Sequence, residues 1–143
     1  MSKKEKNVNK THLEMIQNVI SRMGQNSVRA KEWCITVDSA FLVFLLSNHD
    51  SRWGNVSLVI AIVVTVLFYG LDAYYLYLER GFRGLYDMAA RVIDRDADFA
   101  EYSMKVPKDY KGALMYLKAA FSFVTGVFYG IILVSLIMVY CFV

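Results

Sequence analysis

The chain has 143 residues, 57% of them hydrophobic and 20% charged, and a formal net charge of +3. One proline, eight glycines and two cysteines exclude collagen-like, low-complexity and disulfide-framework classes. Two histidines leave no metal cluster, and an apolar content above the soluble average of about 45–50% points to a one-domain membrane protein with segregated charge.

In chain order, residues 1–10 are polar and basic and are expected to form a disordered tail. Thr11 and Glu14 stand at capping-box spacing. Leu13, Ile16, Ile20 and Met23 then recur at helical period, so 11–32 is predicted as an amphipathic helix. Three apolar stretches follow: 33–46 broken by Asp38, 56–78 broken by Asp72, and 119–143 with no charge. A spanning helix needs about 20 apolar residues, which the second and third supply. The first is short, but only the turn 47–55 separates it from the second, so the two cross together or not at all. No proline interrupts 11–47, which predicts one helix of roughly 55 Å, a stalk or a helix bent at Gly24 onto the membrane. Residues 79–118 form a second amphipathic region, with Leu85, Met88, Val92 and Phe99 as a broken stripe and Pro107 near its end. The two amphipathic pieces are expected to pack on each other.

Lysine and arginine set the orientation. Residues 1–32 hold seven, the turn 47–55 one, residues 79–118 eight, and the remainder none. Positive segments stay inside, so the N-terminus and 79–118 are expected in the cytoplasm and the turn and C-terminus outside. Trp33 and Trp53 then fall at opposite interfaces, and a cleavable signal peptide is not expected. Cys34 and Cys141 lie near opposite faces and read as small buried hydrophobes.

Asp38 and Asp72 are the leading site residues. Counting from Trp33 and from Glu79 puts them about 8 and 10 Å inside the inner boundary, at similar depth on adjacent helices. Acids within a bilayer are costly and usually functional: a ring in an oligomeric pore, a proton site or a cation site, or else a structural pair with Lys118. Ser122, Gly126 and Gly130 form a small-residue series for close helix packing, between chains or within one. Arg22, Arg29, Lys31, Arg80 and Arg83 are candidates for an anionic ligand, with Phe82 or Tyr86 stacking on a base; basic residues beside aromatics also suit anionic lipid. Gly81-Phe-Arg-Gly84 matches the short glycine loop that clamps a nucleic-acid backbone. Asp94, Asp96 and Asp98 resemble the start of a calcium loop, but Lys105 stands where its last ligand belongs. His12 and His49 fall on opposite sides, no triad or phosphate loop is present, and neither catalysis nor a cofactor is expected.

Two stretches carry a family likeness: HLEMIQNVISRMGQNSVRAKEW, residues 12–33, and LDAYYLYLERGFRGLYD, residues 71–87. Together they resemble a family of small bacterial inner-membrane proteins found among anti-phage defence effectors, of the Hailong channel type. The resemblance implies an oligomeric channel held in check by single-stranded DNA oligomers that a partner nucleotidyltransferase makes. It carries over to His12, Gln17, Arg22, Met23, Asn26 and Ser27, and to Asp72, Tyr74, Tyr75, Glu79, Arg80, Arg83, Tyr86 and Asp87. Gly81 and Gly84 depart from the family, whose residues there are often large.

The expectation is therefore an all-α membrane protein: three transmembrane helices plus cytoplasmic amphipathic helices, assembled as a homo-oligomer with a tetramer favoured. Its expected function is an ion channel gated by a nucleotide or oligonucleotide. The rival is a non-conducting anchor or scaffold that recruits a cytoplasmic partner through 12–27. A proton-coupled transporter is disfavoured by the lack of internal repeats.

Overall fold

The chain's one proline is Pro107, and the residues before it build two long helices. The computed structural model describes residues 3–95 and 104–142, with side chains from 10 to 90 and from 104 to 142. Helix α1 is Lys3–Ser47 and α2 is Arg52–Arg95. A single 3-10 turn, Lys108–Tyr110, precedes α3, Ala113–Ala120, and α4, Phe123–Phe142.

Helices α1 and α2 are antiparallel along their whole common length. At 45 and 44 residues each extends roughly 66 Å. The turn between them is tight: the Ser51 N–H and Oγ both donate to the Asn48 carbonyl, at 3.0 and 2.8 Å. A Cβ on Gly54 would stand 2.5 Å from that same carbonyl oxygen, so only glycine admits this return. The pairing register then follows. Asp38 faces Thr65, Lys31 faces Asp72, Gly24 faces Glu79, and Ile16 and Ile20 face Ala89 and Leu85.

The chemistry of this seam changes along its length. Far from the turn it is a hydrophobic core of Ile16, Ile20, Leu85 and Ala89, flanked by Leu13, Phe82 and Tyr86. Toward the turn it is mostly small or polar side chains, Ala30, Cys34 and Asp38 on α1 and Ser57, Ala61, Thr65 and Ala73 on α2, with Leu45 as a large apolar exception beside the turn. Outside that polar half, large apolar side chains face outward, among them Val59, Val63 and Leu67 on α2 and Val127, Ile131 and Val134 on α4. Two helices, Arg52–Ala90 and Phe123–Phe142, are long and apolar enough to cross a membrane.

Several expectations change. α1 begins at Lys3, so 3–10 is helical backbone where a tail was expected, and Thr11 lies inside the helix instead of capping it. The helix runs through Gly24 without a break, the unbent of the two forms expected, with the Glu79 side chain of α2 beside that glycine. The predicted third apolar segment, 119–143, is not one helix. α3 ends at Ala120 and α4 starts at Phe123. The four terminal carbonyls of α3 all find donors there: Phe121 N–H for Leu117, Arg80 for Lys118, Ser122 N–H for Ala119, and Tyr69 Oη for Ala120. Side chains of α2 thus close α3, which removes the cost of ending it. Met88, expected on a packing stripe, is exposed. Asp96, Asp98 and Phe99 lie outside the described residues, as do the side chains of Val92 and Asp94.

Candidate functional site

The two acids are buried, in different settings. Asp72 is 0% exposed. Lys31 Nζ lies 2.5 Å from its Oδ2, and Ser27 Oγ donates to its Oδ1. Lys31 also donates to Ser27 Oγ at 3.0 Å and sits 5.9 Å from the centroid of the Phe128 ring on α4. Asp38 Oδ2 faces Thr65 Oγ1 at 2.9 Å and accepts from Cys34 Sγ at 3.2 Å.

This corrects three expectations. Lys31 is committed to Asp72 and is not available to an external anion. Lys118 is not the partner of either acid. Nor do the acids share a depth: Asp72 is level with Lys31, seven residues before Asp38, or about 10 Å along α1. Counting each acid from its own helix end missed this because the register of the pair, not the chain ends, sets relative height.

The basic residues also divide. Arg80, Arg83 and Lys118 come together around a cavity of about 300 Å³, completed by Tyr77, Gly84, Asp87, Tyr110 and Met115. Arg83 pairs with Glu79 at 2.6 Å. Arg80 gives its guanidinium to the Lys118 carbonyl at 3.0 Å and to Ser122 Oγ at 3.3 Å. Among the described residues Lys118 Nζ makes no ion pair. Arg22 is exposed on α1, and Arg29 lines a shallow groove of α1 with Ser21, Gly24 and Glu32; neither joins the cavity. Phe82 packs on the Ile16–Leu85 core, which takes it away from base stacking. Tyr86 touches the same core and borders a small polar cleft with Gln17, Arg83 and Asp87.

Gly81 and Gly84 lie within α2, not in a loop, so they form no clamp of the glycine-loop kind. Their missing side chains leave a groove that the returning chain fills. A Cβ on Gly81 would stand 2.9 Å from Val106, and one on Gly84 2.5 Å from the Tyr110 ring. These two glycines are thus the seat of the segment that leads into α3. Gly84→Leu is expected to expel Tyr110 and to lower stability by about 1–3 kcal/mol. Thermal unfolding, with tryptic cleavage at Lys105, Lys108 and Lys111 as a local readout, checks it.

Among the described residues Gly126 and Gly130 have no close neighbour: a Cβ on either would meet nothing within 4 Å. α4 instead buries Thr125, Tyr129 and Leu136, so the intrachain version of the small-residue contact is overturned. Ser122 serves Arg80. Cys34 is buried, Cys141 is exposed, and both are free. His12 and His49 sit near opposite ends of α1–α2, and among the described residues no three His, Cys, Asp or Glu side chains gather for a metal.

Sequence reasoning missed Thr65 and Tyr77 as site residues, and Ser27 entered only through the family likeness. Gly81 and Gly84 were the signal for Tyr110: glycines on one helix face mark a close approach. No family model, curated protein or solved structure matches this chain.

Proposed function

We propose that the chain is the subunit of an oligomeric membrane channel, an anti-phage effector gated from the cytoplasm by a nucleotide or a single-stranded DNA oligomer. In this reading α1, α2 and α4 all cross the bacterial inner membrane, with the far half of the α1–α2 hairpin standing in the cytoplasm. The seam supports that placement. In lipid no hydrophobic force draws helices together, and they associate through close packing at small residues and through interhelical hydrogen bonds; in water they need an apolar core. The hairpin has one kind of seam toward its turn and the other beyond it. Exposed apolar side chains run from Trp53 to Tyr74 on α2 and from Phe121 to Phe142 on the last segment, each about 32 Å and close to the bilayer core. The lysine and arginine distribution supports the orientation.

The observation that carries gating is the basic cavity. It joins α2 to α3, the segment that leads into α4, and is lined by Arg80, Lys118 and the Glu79-paired Arg83, with Asp87 as its one lining acid, beside Tyr77 and Tyr110. An anion bound there ties the cytoplasmic hairpin to the last crossing. Guanidinium and ammonium groups suit phosphate, and the tyrosines suit a base. The open face at Gly126 and Gly130 supports assembly, since glycines four apart allow a second helix to approach closely. The anchor reading is weakened because the 12–27 face it would offer a partner is spent: Ile16 and Ile20 are buried on α2.

Purified protein in planar bilayers tests the proposal. Conductance is expected, changed by added single-stranded oligonucleotide at low salt. No conductance under either condition overturns it.

A further inference from the structure

Asp38 is 5% exposed, yet among the described residues its Oδ1 has no hydrogen-bond partner. The residue lines a cleft of about 150 Å³ between α1 and α4, with Ile35, Ser39 and Leu42 on one side and Ile132, Ser135 and Leu136 on the other. The two serines do not serve it. Ser39 Oγ donates to the Ile35 carbonyl at 2.7 Å and Ser135 Oγ to the Ile131 carbonyl at 2.8 Å.

The protons around Oδ2 can be counted. Thr65 has one hydroxyl proton and two oxygens in reach, the Ala61 carbonyl and Asp38 Oδ2, both at 2.9 Å. Given to Oδ2, that proton serves a carboxylate and a neutral acid alike; given to Ala61, it leaves the contact between Thr65 and Asp38 a hydrogen bond only when the carboxyl carries a proton and donates it. The neutral acid then leaves Oδ1 carbonyl-like and uncharged, buried without a donor. The carboxylate would leave an anionic oxygen without a donor, a far costlier burial.

The surrounding titratable groups are occupied or neutral. On α1 the Cys34 thiol already faces Oδ2; from α2 the facing group is the Thr65 hydroxyl. From α4 Tyr129 gives its hydroxyl to the Phe68 carbonyl at 3.2 Å. The Lys31–Asp72 pair, two turns away, is closed on itself. A hard cation calls for several converging oxygens, which this mostly apolar wall does not present.

The geometry points to Asp38 as a proton-binding site within the membrane, loaded and emptied through the cleft between α1 and α4. This rests on the membrane placement proposed above and does not require conduction. The test is carbodiimide labelling of the full chain in liposomes, mapped by peptide mass. The lipid-soluble reagent dicyclohexylcarbodiimide attacks protonated carboxyls in apolar surroundings. It is expected to modify Asp38, to lose this label as pH is raised, and to spare Asp72. Asp38→Asn is expected to abolish the label and to keep the melting temperature, because the amide copies the neutral acid and can donate to Thr65. Absence of label on Asp38 at every pH overturns the proposal, as does a large drop in melting temperature in Asp38→Asn. Protection by sodium at fixed pH overturns it in favour of an alkali-cation site. Labelling by a water-soluble carbodiimide alone overturns the membrane placement, whereas loss of conductance with the Asp38 label intact overturns only the channel.

Discussion

Lys31→Met is expected to destabilise the protein by about 3–5 kcal/mol, the usual cost of removing one partner of a buried ion pair. Asp72 is fully buried and takes its compensation from Lys31 and Ser27 of α1. Without the ammonium, a carboxylate remains between two helices with one hydroxyl donor. The loss reaches further than the pair, since Lys31 also lies over the Phe128 ring and so touches α4. All three long helices meet at this level. Asp72→Leu combined with Lys31→Met should recover most of the loss, because a matched apolar pair has no charge to solvate. Ser27→Ala should cost less, about 1.5–3 kcal/mol, as one hydrogen bond to a charged group. Thermal unfolding in detergent reads all of these. A Lys31→Met protein as stable as the parent would mean that Asp72 is compensated from elsewhere.

The same pair marks where reading from the sequence stopped. The hairpin was legible because 47–55 is too short for anything but an antiparallel return, and its apolar core because Leu13, Ile16 and Ile20 recur at helical spacing. Asp38 and Asp72 stood out as acids in apolar runs. Their partners were not legible. Lys31 was assigned to a ligand and Lys118 to an acid, because facing pairs depend on register, and register depends on how Gly54 lets the turn close. The break between α3 and α4 was hidden for a similar reason. No glycine or proline marks it, and it is stabilised by Arg80 and Tyr69, about forty and fifty residues earlier in the chain. Of the five basic ligand candidates, Arg80 and Arg83 meet Lys118, Lys31 is taken by Asp72, and Arg22 and Arg29 stay on the other arm of the hairpin.

That regrouping separates two roles that charge alone would merge. Arg80 spends its guanidinium on the Lys118 carbonyl and Ser122, so it holds the end of α3 in place. Lys118 contributes its backbone to that cap and leaves its ammonium at the cavity wall. Lys118→Ala is therefore expected to weaken oligonucleotide binding about tenfold, as one charge-assisted phosphate contact is lost. It should also flatten the salt dependence, reducing the log–log slope by about 0.7 for a single strand. Its melting temperature should stay at the parent value. Arg80→Ala is expected to weaken binding at least as much and to lower the melting temperature too, because the Lys118 carbonyl loses its donor and α3 loosens from α2. Arg83→Ala falls between them, since Glu79 already neutralises that arginine in the unbound protein and is left unpaired when it goes. Fluorescence anisotropy with a labelled oligonucleotide across a salt series, beside thermal unfolding, resolves the three variants. Equal binding losses with no change of slope would place the phosphates elsewhere. A Lys118→Ala protein that binds normally would mean that the cavity has no part in anion recognition, and the proposed coupling of the hairpin to α4 would need another route.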